Sequence, residues 1–160
     1  MDTPFKPVIG ISMGDPAGIG PEICAKALSN VALYERCQPL VVGDAAVMRW
    51  AIEQLQLPLS VAAVKRVGDA GFRPGVIDVL DLGLVDLSTL QPGQLSAMAG
   101  HAAFEAVRTV IELALAGALD ATVTAPINKE AIHLAGHLFS GHTEIYAHFT
   151  GTDTYAMLLA

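Results

Sequence analysis

The chain has 160 residues, of which 52% are hydrophobic and 16% charged, a composition that excludes intrinsic disorder. Its formal charge is −7, from 9 Lys+Arg against 16 Asp+Glu, and Lys65-Arg66 is its only adjacent basic pair, so no nucleic-acid-binding surface is expected. No apolar run approaches the roughly 18 residues that a membrane span needs, since the richest, Val110 to Leu119, is broken by Glu112 and Gly117.

The first residues, MDTPFKPVIGIS, show no basic segment followed by an apolar one, so no secretory signal is read and a cytoplasmic location is expected. Cys24 and Cys37 form no CxxC pair and read as reduced thiols.

In chain order, Lys6 to Ser12 is a short apolar run entering glycine-rich sequence, the pattern of a buried strand. Pro21 suits the first position of a helix, where its missing N–H costs nothing, and Glu22 favours the helix dipole. That helix is expected to end near Ser29-Asn30. Pro39 to Gly43 is a second strand, and Asp44 is an N-cap candidate for a helix through Gln56. Leu59 to Val64 and Val76 to Leu80 read as strands, Gly68 to Pro74 as turns, and Asp81 to Pro92 as a long loop.

Gln94 to Ala116 carries the clearest helical period. Leu95, Met98, Ala99, Ala102, Ala106, Val110 and Ala114 share one sector, while His101, Glu105, Arg108 and Glu112 lie on the other and are expected to face outward. Ala121 to Thr124 is the next strand, Pro126 opens a helix that Gly136 can close, Thr143 to Phe149 is a short helix, and Tyr155 to Leu159 is a final apolar strand. Strands alternating with helices specify an α/β fold, a mostly parallel sheet with helices on both faces, and residues 1–160 read as a single α/β region without repeats. The apolar YAMLLA end needs a covering layer that the sequence does not supply, so either another subunit covers it or the chain is the front part of a longer protein, the reading we favour.

Four groups of residues could carry chemistry. GDPAGIGPE, Gly14 to Glu22, matches neither GxGxxG nor a P-loop, and it reads either as an active-site loop or as a plain strand-to-helix turn. TAPINKE, Thr124 to Glu130, brings Lys129 to a helix start, where a cation is unfavourable unless an anion offsets it. Lys129 is therefore a phosphate or carboxylate contact, or a solvated surface lysine. His133 and His137 have the i, i+4 spacing of zinc ligands but lack the glutamate of HExxH, and Gly136 ends the helix between them. SGHTE, Ser140 to Glu144, sets His142 and Thr143 at a helix start as a compact polar cradle, or as an ordinary loop with an acidic first turn.

Together, GDPAGIGPE, TAPINKEAIHLAG and SGHTEIYAHFTGT resemble the N-terminal half of the 4-hydroxythreonine-4-phosphate dehydrogenase (PdxA) family, in order and spacing across essentially the whole chain. The resemblance implies part of a two-lobed fold similar to isocitrate and isopropylmalate dehydrogenases, working as a homodimer. It implies NAD or NADP as cofactor and a divalent metal (Zn, Mg or Co) whose ligands are expected beyond residue 160. The implied reaction oxidises the 3-hydroxyl of 4-phosphohydroxy-L-threonine on the way to pyridoxal phosphate. His142 and Thr143 match the family's substrate-binding His-Thr. The TAPINK form looks more like relatives acting on 4-phospho-D-threonate or a related sugar acid, the alternative substrate. Two further readings stand beside these: an inert fragment, and a zinc hydrolase that the missing glutamate disfavours. The chain alone is expected to bind no metal stoichiometrically and to show no turnover.

Overall fold

The computed structural model describes residues 5–158. Its elements in chain order are β1 (Val8–Ser12), α1 (Gly20–Leu28), α2 (Leu33–Arg36), β2 (Gln38–Gly43), α3 (Ala45–Gln54), β3 (Ser60–Val64), β4 (Val76–Asp81), α4 (Ala97–Leu115), β5 (Ala121–Thr124), α5 (Lys129–Leu134) and α6 (His142–Thr150). The strands form one sheet in the order β3-β4-β2-β1-β5, and every neighbouring pair is parallel. This is the α/β architecture that the sequence pattern specifies.

Alternation along the strands divides the core between the two faces of the sheet. Val41, Ile77 and Val79 pack with Cys24, Ala25 and Leu28 of α1 and with Val47, Met48 and Ile52 of α3. Leu40, Val42 and Leu80 point the other way, onto Val110 of α4 and Leu119. A third layer forms where Phe104, Val107 and Ile111 of α4 meet Ile132 of α5 and Ile145 of α6. His101, Glu105, Arg108 and Glu112 lie away from the sheet, as their spacing predicts, and Arg108 pairs with both glutamates. No helix among the described residues is long and apolar enough to cross a membrane.

The structure corrects several boundaries. Helix α4 starts at Ala97, because the Ser96 hydroxyl accepts the Ala99 N–H at 3.0 Å and caps it, so Leu95 lies outside the helix and half-exposed. Helix α3 ends two residues before Gln56, and α2 is an additional helix in a stretch too short to show a period. Pro126 does not open α5. Its carbonyl is committed to the Asp15 N–H, while the Asn128 side chain accepts from Glu130 and Ala131 and starts the helix at Lys129. The expected strand over Tyr155 to Leu159 is absent over its described part, 155–158 (Leu159 lies outside the described residues). Apolar composition gives strand propensity, but a strand also needs a partner ladder. None is present, and Tyr155, Met157 and Leu158 are 52%, 71% and 90% exposed.

Candidate active site

Strand β1 sits between β2 and β5, so successive connections leave it toward opposite sides of the sheet. Such a point opens a crevice at the C-terminal strand ends, where α/β sheets bind ligands. The loops that leave β1 and β5 meet there. Asp15 donates its N–H to the Pro126 carbonyl at 2.9 Å. Gly14, at φ +77°, leaves no room for a side chain, since a Cβ would lie 2.4 Å from the same oxygen.

The glycine-rich loop uses its own amides. The Asp15 carboxylate accepts the Ala17 N–H at 2.8 Å, and the Asp15 carbonyl accepts the Gly18 N–H at 3.0 Å. Burial raises the Asp15 pKa, and the Ala17 and Gly18 amides offset part of that rise. A buried carboxyl with its nearest amides already bound does not fit a pyrophosphate, so this loop is not a dinucleotide cradle. It lines a shallow concavity of about 260 Å³ with Pro126, Ile127 and Asn128.

A second concavity, of about 330 Å³, begins one residue further on. Lys129, Ser140, Gly141, His142, Thr143, Glu144 and Met157 line it. His142 and Thr143 open α6 and so stand beside its free N-terminal amides. Segment 126–129 therefore borders both concavities. The structure brings Lys129, His142 and Thr143 together but keeps the glycine-rich loop in the adjoining depression.

His142 is the unusual member. Its Nε2 is buried and has no hydrogen-bond partner. Burial lowers the His142 pKa, and the Ala125 carbonyl, which favours a protonated ring, offsets part of this. The ring is thus neutral near pH 7, with one nitrogen unsatisfied in a place where leaving it so is costly. Lys129 is exposed and forms no ion pair among the described residues.

The metal implied by the resemblance can be tested against this pocket. Among the described residues, His142 and Glu144 are its only His, Cys, Asp or Glu lining residues, and Lys129 adds positive charge. Two dissimilar donors beside an ammonium group do not make a ligand set. The residues do not fit that ion, and no metal-assisted step is assigned to them.

His133 and His137 are not paired. The His133 Nε2 lies 2.8 Å from the Phe139 carbonyl, while His137 turns to His101 of α4.

Comparison with known proteins agrees with the fold and the motifs. Residues 35–160 match the family model described as pyridoxal phosphate biosynthetic protein PdxA. The chain belongs to the PdxA family. It is 44% identical over 155 residues to a D-threonate 4-phosphate dehydrogenase of Cupriavidus necator, covering 97% of this chain and 46% of that protein. A Symbiobacterium thermophilum relative, whose D-threonate 4-phosphate dehydrogenase name is itself provisional, is 50% identical over 152 residues, covering 95% of this chain and 45% of the relative. Among solved structures, a 4-hydroxythreonine-4-phosphate dehydrogenase from Burkholderia phymatum superposes with a TM-score of 0.91 at 44% identity, over 94% of this chain and 46% of that one. The PdxA chain thus spans about half the length of the curated relatives it matches.

Proposed function

We propose that this chain is the substrate-holding N-terminal half of a two-lobed, NAD(P)-dependent dehydrogenase that oxidises the secondary hydroxyl of a 4-phosphorylated four-carbon hydroxy acid. The observation that carries the reading is the buried, unpartnered His142 Nε2, in a pocket that also offers the Thr143 hydroxyl and the Lys129 ammonium. That nitrogen is closed to water as the ring stands, so the ring turns toward the pocket to meet a polar substrate oxygen, and the cost of leaving the nitrogen bare becomes binding energy.

Each group has a distinct task. Neutral His142 hydrogen-bonds a substrate hydroxyl or carboxylate oxygen. Thr143 donates or accepts alongside it and fixes the rotation of the carbon chain. Lys129, which lines the same pocket, attracts the anionic end of the substrate. Held at two points, the substrate presents one C–H in a fixed direction, which is how positioning accelerates a transfer. A bound nicotinamide supplies the hydride acceptor in such a reaction. The homodimer and the cytoplasmic location belong to the same reading and rest on family membership.

The sequence reading puts 4-phosphohydroxy-L-threonine first. We place D-threonate 4-phosphate ahead of it, because the TAPINK form of residues 124–129 and the names of the curated relatives point the same way. The two substrates differ at C2, as hydroxyl against ammonium, and Lys129 disfavours a second cation.

The test is NAD(P)H formation by the complete protein with each substrate. D-threonate 4-phosphate should give the higher kcat/KM, and His142→Ala should lower it about 10–100-fold, the loss of one buried hydrogen bond of about 1–3 kcal/mol. Turnover of neither compound, or an unchanged kcat/KM in the variant, would overturn the reading.

A further inference from the structure

Outside the substrate pocket, three side chains from two distant parts of the chain converge. His101 and Glu105 stand one turn apart on α4, and His137 follows α5. Their ligand atoms all lie within 4.8 Å of one another. The His101 Nδ1 is 3.0 Å from the His137 Nε2. None of the three lines the His142 pocket.

We propose that His101, Glu105 and His137 form a zinc site that clamps α4 to the connection between α5 and α6. Two imidazoles and a carboxylate are a ligand set that Zn²⁺ accepts, with a fourth position left for water. Tetrahedral bonds of about 2.0–2.1 Å put two nitrogens about 3.3 Å apart, so the observed 3.0 Å must open slightly, and the two rings, now nearly parallel at 13°, must turn so that both nitrogens aim at the ion. In the free protein one ring nitrogen donates its proton to the other. Moving that proton to the far nitrogen of its own ring leaves two lone pairs facing the ion, with no net proton release.

The surroundings hold the donors in place. Arg108 grips the Glu105 carboxylate, through Nε at 3.1 Å and through a second guanidinium nitrogen, and also binds Glu112 at 2.7 Å. A ligating carboxylate anchored in this way is what metal sites use to orient their donors. The His137 ring lies flat on Phe104, with centroids 3.8 Å apart at 11°. Its backbone is fixed by the end of α5. Gly136 adopts φ +88°, the Gly136 N–H binds the His133 carbonyl, and the His137 N–H binds the Ile132 carbonyl, which makes a Schellman motif.

The proposal departs from the expectation that the chain binds no metal. That expectation considers His133 with His137 along one helix, whereas the fold pairs His137 with a residue 36 positions earlier.

The test is calorimetric Zn²⁺ titration of the complete protein, with Co²⁺ absorption as a second readout. The wild type should bind one more equivalent than the His101→Ala/His137→Ala variant and show tetrahedral Co²⁺ bands that the variant lacks. Arg108→Ala, which touches no metal, should weaken Zn²⁺ roughly 10–100-fold. Mg²⁺ should not compete, since it prefers oxygen ligands. Should the double variant fail to fold, His101→Ala alone decides the matter, because that side chain is exposed on the helix surface. Equal stoichiometry in wild type and variant, or no Zn²⁺ bound by the wild type at micromolar concentration, would overturn the proposal. Both results are independent of dehydrogenase turnover.

Discussion

A Cβ placed on Gly100 would fall 1.9 Å from the carbonyl oxygen of Ala131, so α4 and α5 touch backbone to backbone at that point. The contact sets the position of α5, and Lys129 lies at the start of that helix. The glycine is therefore part of what aligns the pocket around His142.

Gly100→Ala should accordingly destabilise the protein by about 1–3 kcal/mol or more, the usual cost of overfilling a packed contact, because a backbone atom cannot move aside as a flexible side chain can. Gly68→Ala is the control. It has open space around it, and the change should stay within about 0.5 kcal/mol. Urea unfolding of the two variants measures the difference, and equal midpoints would show that the helices can separate without cost.

Asp44 is buried and accepts three backbone N–H groups. One carboxylate oxygen caps α3 through Ala46 and Val47, at 3.1 and 3.4 Å, and the other holds Val85 of the long loop after β4 at 3.0 Å. Asp44→Ala leaves these donors unpaired and should cost about 1–3 kcal/mol. Hydrogen exchange should quicken at Val85 as well as at the start of α3. A change confined to α3 would mean that the loop is held by something else.

The pH dependence follows from His142. Burial holds its pKa below the ordinary value of 6.5, so the unfolded chain takes up that proton first. This part of the stability is complete above about pH 6.5 and is lost as the pH falls through the gap between the unfolded and folded pKa values. Lys129 and Glu144 share the pocket. The denaturation midpoint between pH 7 and 5 should fall less steeply in His142→Gln than in the wild type. An identical slope would show that the ring is not desolvated.

Much of the architecture is legible in the sequence because it is written locally. Alternating apolar runs fix the strands, Asp44 marks the start of α3, and the four-three-four spacing of His101, Glu105, Arg108 and Glu112 identifies the outer face of α4. Features that depend on distant partners are not legible in this way. Residues 155–158 have a strand's composition but no ladder to join, and Pro126 looks like a helix start until Asp15 claims its carbonyl. The SGHTE segment directs attention to His142, yet its unsatisfied Nε2 emerges only from packing. No spacing rule joins His101 to His137, and only the close approach of α4 and α5 at Gly100 brings those two helices into register.

The central claim, that His142 receives the substrate, can be observed at the atom concerned. Ring nitrogen spectra of the ¹⁵N-histidine-labelled protein, recorded while D-threonate 4-phosphate is added, follow each imidazole separately. The account predicts that the His142 Nε2 resonance moves in a saturable way as it gains a hydrogen-bond partner, and that the shift disappears when Lys129→Ala abolishes binding. A His142 Nε2 signal that stays fixed while other resonances report saturating binding would place the substrate elsewhere and contradict the account.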